Sequence, residues 1–181
     1  GEFPKDYVER LAKRKALRAA DMSSAGDIVI AADTTVADGD SILGKPADNR
    51  EAEQMLRRLR GRTHQVFTAV AVVLVSGNEM LCELCATAVP MRPYSDEELL
   101  AYIDTRDPLD KAGAYAIQHA GFSPVTSLMG CFANVMGLPL CHLARALAKY
   151  DVHSTTDIPQ ACQTSLGYEC PIFADVLRGA Y

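Results

Sequence analysis

A chain of 181 residues, 49% of them hydrophobic, has room for one compact domain with its own core and is cramped for two. Its net charge of -5 and its 23% of charged residues exclude a protein built chiefly to neutralise a nucleic-acid backbone, while a few lysines can still make a local anion site. The longest strongly apolar stretch, Val66 to Val75, falls far short of the roughly 20 residues a membrane-spanning helix needs. With no basic-then-apolar start, the expectation is a cytoplasmic protein with neither membrane nor nucleic-acid partners.

Along the chain, Tyr7, Val8, Leu11, Ala12 and Ala16 recur at helical spacing, with Lys13, Arg14, Lys15 and Arg18 around them. This predicts an amphipathic helix from Tyr7 to Ala20, its basic run read as a solvated face. The β-branched run Asp27-Ile-Val-Ile-Ala-Ala predicts a buried strand that delivers Asp33 to its end, before a hairpin-type turn at Asp38-Gly39. Asp48 followed by Glu51 has the spacing of a capping box, with Ala52, Met55, Leu56 and Leu59 as the apolar face and Gly61 as the stop.

Gln65 to Ser76 and Met80 to Pro90 are two long β-branched runs, and Gly77-Asn78 between them has the chemistry of a tight reversal, so they should pair antiparallel. Ser95-Asp96-Glu97-Glu98 is a second capping box, opening a short helix. Beyond Asp110 lie a strand-like Val125 to Met129 and a helix opened by Pro139. Helices alternating with strands, one long hairpin among them, predict a single α/β domain with a mixed sheet whose long antiparallel strands are flanked by helices.

The six cysteines, Cys82, Cys85, Cys131, Cys141, Cys162 and Cys170, read as reduced thiols in a chain too apolar to need a disulfide framework. Cys82 and Cys85 have half a zinc motif, but on a strand positions three apart face opposite sides. Neither a P-loop nor a dinucleotide fingerprint is present, and no nucleophile elbow. What remains is Asp33 after an apolar strand, Lys45 fixed in Gly44-Lys45-Pro46, and Asp110-Lys111 before a flexible Ala-Gly-Ala. Two carboxylates and two ammoniums are the components of a phosphate site, although each is singly compatible with an ordinary surface turn.

The ordered segments Ala32-Asp33-Thr34, Ile42-Leu43-Gly44-Lys45-Pro46, Met55 to His64, Asp110-Lys111-Ala112-Gly113-Ala114-Tyr115 and Asn134-Val135-Met136-Gly137-Leu138-Pro139-Leu140 together resemble the Maf family. The resemblance implies a fold related to the inosine-triphosphate pyrophosphatases, a homodimer, and a divalent ion, magnesium or manganese. It also implies attack of water on a nucleoside triphosphate with pyrophosphate as leaving group. Carried over by position, Asp33 matches the family's proton acceptor, Thr34 and Gln118 match positions that choose the base, and Lys45 and Lys111 match its cleft lysines. Asp33 and Asp110 are the candidate metal ligands. Asp33-Thr34 and Ala114-Tyr115-Ala116-Ile117-Gln118 are similar to the dTTP/UTP type rather than the 7-methyl-GTP type.

In the family a strand, a Ser-x-x-Arg-x-x-Leu-Leu segment and a glutamate come first, and nothing before Tyr7 matches them. The alternatives to a pyrimidine-nucleotide pyrophosphatase are the same chemistry on 7-methyl-GTP or another modified nucleotide, and a non-catalytic nucleotide-binding regulator. The sequence assigns no role to the tail from His153 to Tyr181.

Overall fold

The computed structural model describes residues 1–77 and 79–181. Helix α1 (Pro4–Ala20) opens ahead of the expected Tyr7, because a proline in the first turn gives up only an N–H that the helix leaves unpaired anyway. Its Val8, Ala12 and Ala16 are fully buried at four-residue intervals. Four strands, β1 (Ile28–Asp38), β2 (Ser41–Leu43), β3 (Thr63–Leu74) and β4 (Glu79–Pro90), form one sheet in the order β2-β1-β3-β4.

Every neighbouring pair in the sheet is antiparallel. The expected α/β domain with long antiparallel strands and flanking helices is therefore present, while the parallel partner that makes a sheet mixed is absent among the described residues. The candidate for an additional strand, Val125 to Met129, gives one isolated bridge from Val125 to Met91. Ser127, at φ 35, turns the chain away from an extended path. At the β3–β4 reversal Gly77 donates to the Leu74 carbonyl at 3.2 Å; Asn78, the other residue of the expected turn, lies outside the described residues.

Alternation along the strands separates two packed faces. Val29 and Ala37 of β1 and Phe67, Ala69, Ala71 and Val73 of β3 pack under α1. Val36 and Val66 pack instead with α2 (Asn49–Leu59) and α3 (Asp96–Asp104), and Val70 and Val72 with α5 (Leu140–Ala148). Cys82 joins the α1 side and Cys85 the other, against Cys131, so the two thiols face apart as their spacing requires. All six cysteines are free.

The helix starts at both predicted capping boxes are capped, one of them differently from its pattern. Ser95 and Glu98 close a full capping box, at 3.2 and 2.7 Å. Asp48 accepts from Glu51 N at 2.8 Å, whereas the Glu51 carboxylate reaches one residue further back, to Ala47 N at 2.7 Å. Gly61, at φ 66, follows the end of α2 as predicted. Past α4 (Phe132–Met136) and α5, the tail folds into α6 (Ile158–Leu166) and α7 (Phe173–Arg178). Arg145 of α5 fixes the tail by donating to the Val176 carbonyl at 2.7 Å.

Two short 3-10 turns, Asp107–Asp110 and Ala112–Ala114, carry the segment beyond α3 back to β2, where Gly113 N donates to the Gly44 carbonyl at 3.0 Å. Gly113 sits at φ 69, and a Cβ there would lie 2.9 Å from Val36 Cγ1. Left-handed strain and overpacking add, so Gly113→Ala is expected to lower the unfolding free energy by about 2–4 kcal/mol. Urea unfolding at unchanged slope measures it, and a loss below about 0.5 kcal/mol would show that the loop yields freely.

Candidate active site

Asp33 lies inside β1, five residues before its end, and not at the strand terminus that the apolar run suggested. Thr34, Thr35 and Val36 are β-branched and suit a pleated surface, and pairing with β3 runs on from Asp33↔Ala69 to Ala37↔Gln65. Asp33 is nevertheless at an edge of the sheet. β2 covers β1 only from Val36 to Asp38, so from Ile28 to Thr35 the other edge of β1 has no strand partner among the described residues.

On the α1 face, Lys15 donates to Asp33 Oδ1 and, at 3.4 Å, to the Ala32 carbonyl. The Asp33 side chain is 12% exposed, and its Oδ2 accepts from no described residue. The sequence reading left Lys15 in a solvated basic run. The missed signal is register: Lys15 comes seven residues after Val8 and three after Ala12, beside the buried stripe of α1, and so overhangs the strand.

Thr34 points to the opposite face. Its Oγ1 lies 2.9 Å from Thr68 Oγ1 on β3, and Thr68 donates at 2.9 Å to the Asn134 carbonyl of α4. Asn134, completely buried, donates through Nδ2 to the Val66 carbonyl at 3.0 Å and to Thr87 Oγ1 at 2.9 Å. Thr68 is a hydroxyl inside an otherwise apolar stripe, which is the mark that sequence inspection passed over.

Lys45, Asp110 and Lys111 form a separate group. Asp110, with its side chain 74% exposed, accepts from Lys45 at 2.9 Å and Lys111 at 3.2 Å, and these two ammoniums, Lys45 first, hold its carboxyl below the usual range. Lys111 also approaches Asp107 at 3.5 Å. No hydrogen bond or ion pair joins this group to Asp33 among the described residues. Gln118 is exposed and its side chain makes no hydrogen bond within the described residues.

Beneath this loop, buried His64 of β3 contacts Tyr115 OH through Nε2 at 2.8 Å, with the rings edge to face. Burial is the main reason the His64 pKa drops to about 4. His64 thus ties the end of the Met55–His64 segment to the end of the Asp110–Tyr115 segment.

No group of three His, Cys, Asp or Glu side chains able to hold a metal gathers among the described residues. Magnesium often takes only one or two carboxylates and completes its shell with phosphates and water. A carboxylate with one oxygen free, as at Asp33, fits that mode and does not fit an all-protein cage. A cavity of about 1010 Å³ between α5 and the tail helices touches none of these residues. No helix among the described residues is long and apolar enough to cross a membrane.

A helix-flanked antiparallel sheet whose unpaired edge carries a carboxylate held by an ammonium, with two further ammoniums, Lys45 and Lys111, gathered on Asp110, defines a candidate phosphate-processing domain. The Maf-like protein family model matches residues 1–150. A dTTP/UTP pyrophosphatase of Symbiobacterium thermophilum is 47% identical over 149 residues, covering 82% of this chain and 75% of that protein. Those of Geobacter metallireducens and Anaeromyxobacter dehalogenans are 44% and 46% identical, over 81% and 82% of this chain and 76% and 75% of theirs. The chain belongs to the Maf family.

His64 and His142 are both buried, and burial lowers both to about 4. Near pH 7 both are neutral whether the chain is folded or not. Below about 6.5 the unfolded chain takes up protons that the folded chain refuses, so stability falls as the pH drops from about 6.5 to about 4. His64→Gln is expected to flatten part of that slope in unfolding free energies measured between pH 7 and 4.5. A slope identical to that of the parent protein would remove His64 from the account.

Proposed function

We propose that this chain hydrolyses dTTP and UTP to the monophosphate and pyrophosphate. The observation that carries the reading is Asp33, a half-sheltered carboxylate at the unpaired edge of β1, with one oxygen held by Lys15 and the other free. The names of the relatives, dTTP/UTP pyrophosphatases at 44–47% identity over four-fifths of the chain, support the substrate class.

In this reading Asp33 orients a water and accepts its proton as the water attacks the α-phosphorus. The bond from that phosphorus to the oxygen bridging to the β-phosphate breaks, and pyrophosphate leaves. Lys45 and Lys111 meet phosphate oxygens. They hold an exposed carboxylate now, and solvent screens exposed ion pairs, so exchanging Asp110 for a phosphate costs little. Lys15 adds a third ammonium on the α1 side.

Thr34 and Gln118 face the base, the amide N–H of Gln118 offering a donor to a carbonyl oxygen of uracil or thymine. Asp33 and Thr34 point to opposite sides of β1, so the nucleotide straddles the unpaired edge. Asp33, with Asp110, would hold a magnesium or manganese ion beside the phosphates, which when bound supplies positive charge to the developing oxyanions. The same reading includes a homodimer in the cytoplasm.

Pyrophosphate release from dTTP, UTP, CTP, GTP and 7-methyl-GTP, with magnesium or manganese, tests it. Release is expected from dTTP and UTP, and Asp33→Asn should lower kcat by about 100-fold or more, the usual worth of a general base. Preference for 7-methyl-GTP would transfer the chemistry to modified purines. Tight binding of every triphosphate without release would leave a nucleotide-binding regulator.

A further inference from the structure

Thr34 and Thr68 are directly opposed in the β1–β3 register, and which of their hydroxyls donates follows from what lies behind them. Thr68 is completely buried and has one proton. The Asn134 carbonyl, 2.9 Å away, can only accept, so that proton is committed to it. In the contact with Thr34, Thr68 is therefore the acceptor and Thr34 the donor. The Thr34 proton is in turn committed to Thr68, and toward anything else Thr34 Oγ1 presents lone pairs alone.

The carbonyl that sets this direction is itself immobilised. Both Asn134 Nδ2 donors are spent, on Val66 O and Thr87 Oγ1, and Asn134 N donates to the Cys131 sulfur at 3.3 Å. The residue beside the hydroxyl is Gly137, where a Cβ would crowd Thr34 Oγ1 at 3.2 Å. Thr34 is only partly buried.

We propose that Thr68 and Asn134 are positioning residues that make Thr34 an obligate hydrogen-bond acceptor, so that the site selects a pyrimidine bearing an N–H at ring position 3. Uracil and thymine carry that imide N–H; cytosine has a bare lone pair there, which would face the lone pairs of Thr34. The inference rests on the pyrimidine-triphosphate reading above and supplies its discrimination between UTP and CTP. Unpaired or repelling polar groups in a recognition site discriminate more strongly than missing contacts do.

The test measures kcat and KM for UTP and CTP with the parent protein, Thr68→Ser and Thr68→Val, alongside their melting temperatures. Serine keeps the hydroxyl and should keep the preference. Valine keeps the shape, removes the acceptor, and frees the Thr34 proton to turn outward, so the UTP-to-CTP ratio of kcat/KM should fall about tenfold, the worth of one oriented hydrogen bond, with the change in KM and not in kcat for UTP. An unchanged ratio, or equal losses on both nucleotides, would overturn the proposal.

If the valine variant does not fold, the parent protein with the triphosphate of N3-methyluridine decides: turnover near the CTP level supports the proposal, and turnover equal to UTP ends it. Failure of the parent protein to hydrolyse either UTP or dTTP would instead sink the reading on which the proposal rests.

Discussion

The register between β1 and β3 is the constraint on which the rest depends. Ile28 through Ala37 pair with Leu74 through Gln65, and a slip of one residue would exchange the two faces of β1. Asp33 would then leave Lys15 and turn toward α4, and Thr34 would lose Thr68. What forbids the slip is packing on both sides at once. Alanines at 37, 69 and 71 admit α1 closely on one face, while Val36, Val66, Val70 and Val72 fill the other. Neither face tolerates the other's side chains.

The motifs that carry the family resemblance turn out to be pairs of touching surfaces. Gly44 and Lys45 meet Gly113 and Asp110, through a backbone hydrogen bond and an ion pair. His64 meets Tyr115. Thr34 reaches Asn134 through Thr68, and Gly137 lies against the Thr34 hydroxyl. Gly113 and Gly137 are points where two segments approach too closely for a Cβ, which explains why residues without chemistry of their own belong to the same constellation as the charged ones.

Much of this architecture was legible in the sequence. Local signals read correctly: the caps at Asp48 and Ser95 and the long β3–β4 pair follow from side-chain hydrogen bonding and β-branching within a few residues. The failures were non-local. Asp33 looked like a strand terminus because polarity began there, whereas pairing with β3 carries the strand on to Ala37. Val125 to Met129 had strand composition, but Ser127 turns the backbone out of an extended path, and so the segment forms one bridge. Lys15 meets Asp33 across a helix, a loop and half a strand, a distance along the chain over which no periodicity operates.

The two kinds of recognition proposed for this edge make opposite physical demands. Neutralising phosphate charge needs only that ammoniums arrive at roughly the right distance, and a Coulomb interaction tolerates the flexible stems of Lys45, exposed, and Lys111, partly exposed. Reading a base needs the sign of each polar atom to be fixed, because a hydroxyl free to rotate can donate as readily as it accepts. Fixing that sign takes a chain of groups with no alternative partners, and such a chain can only be built where water is excluded. That is where Thr68 and Asn134 lie, behind the sheet and out of reach of any ligand, whereas every lysine of the candidate site stands on the surface.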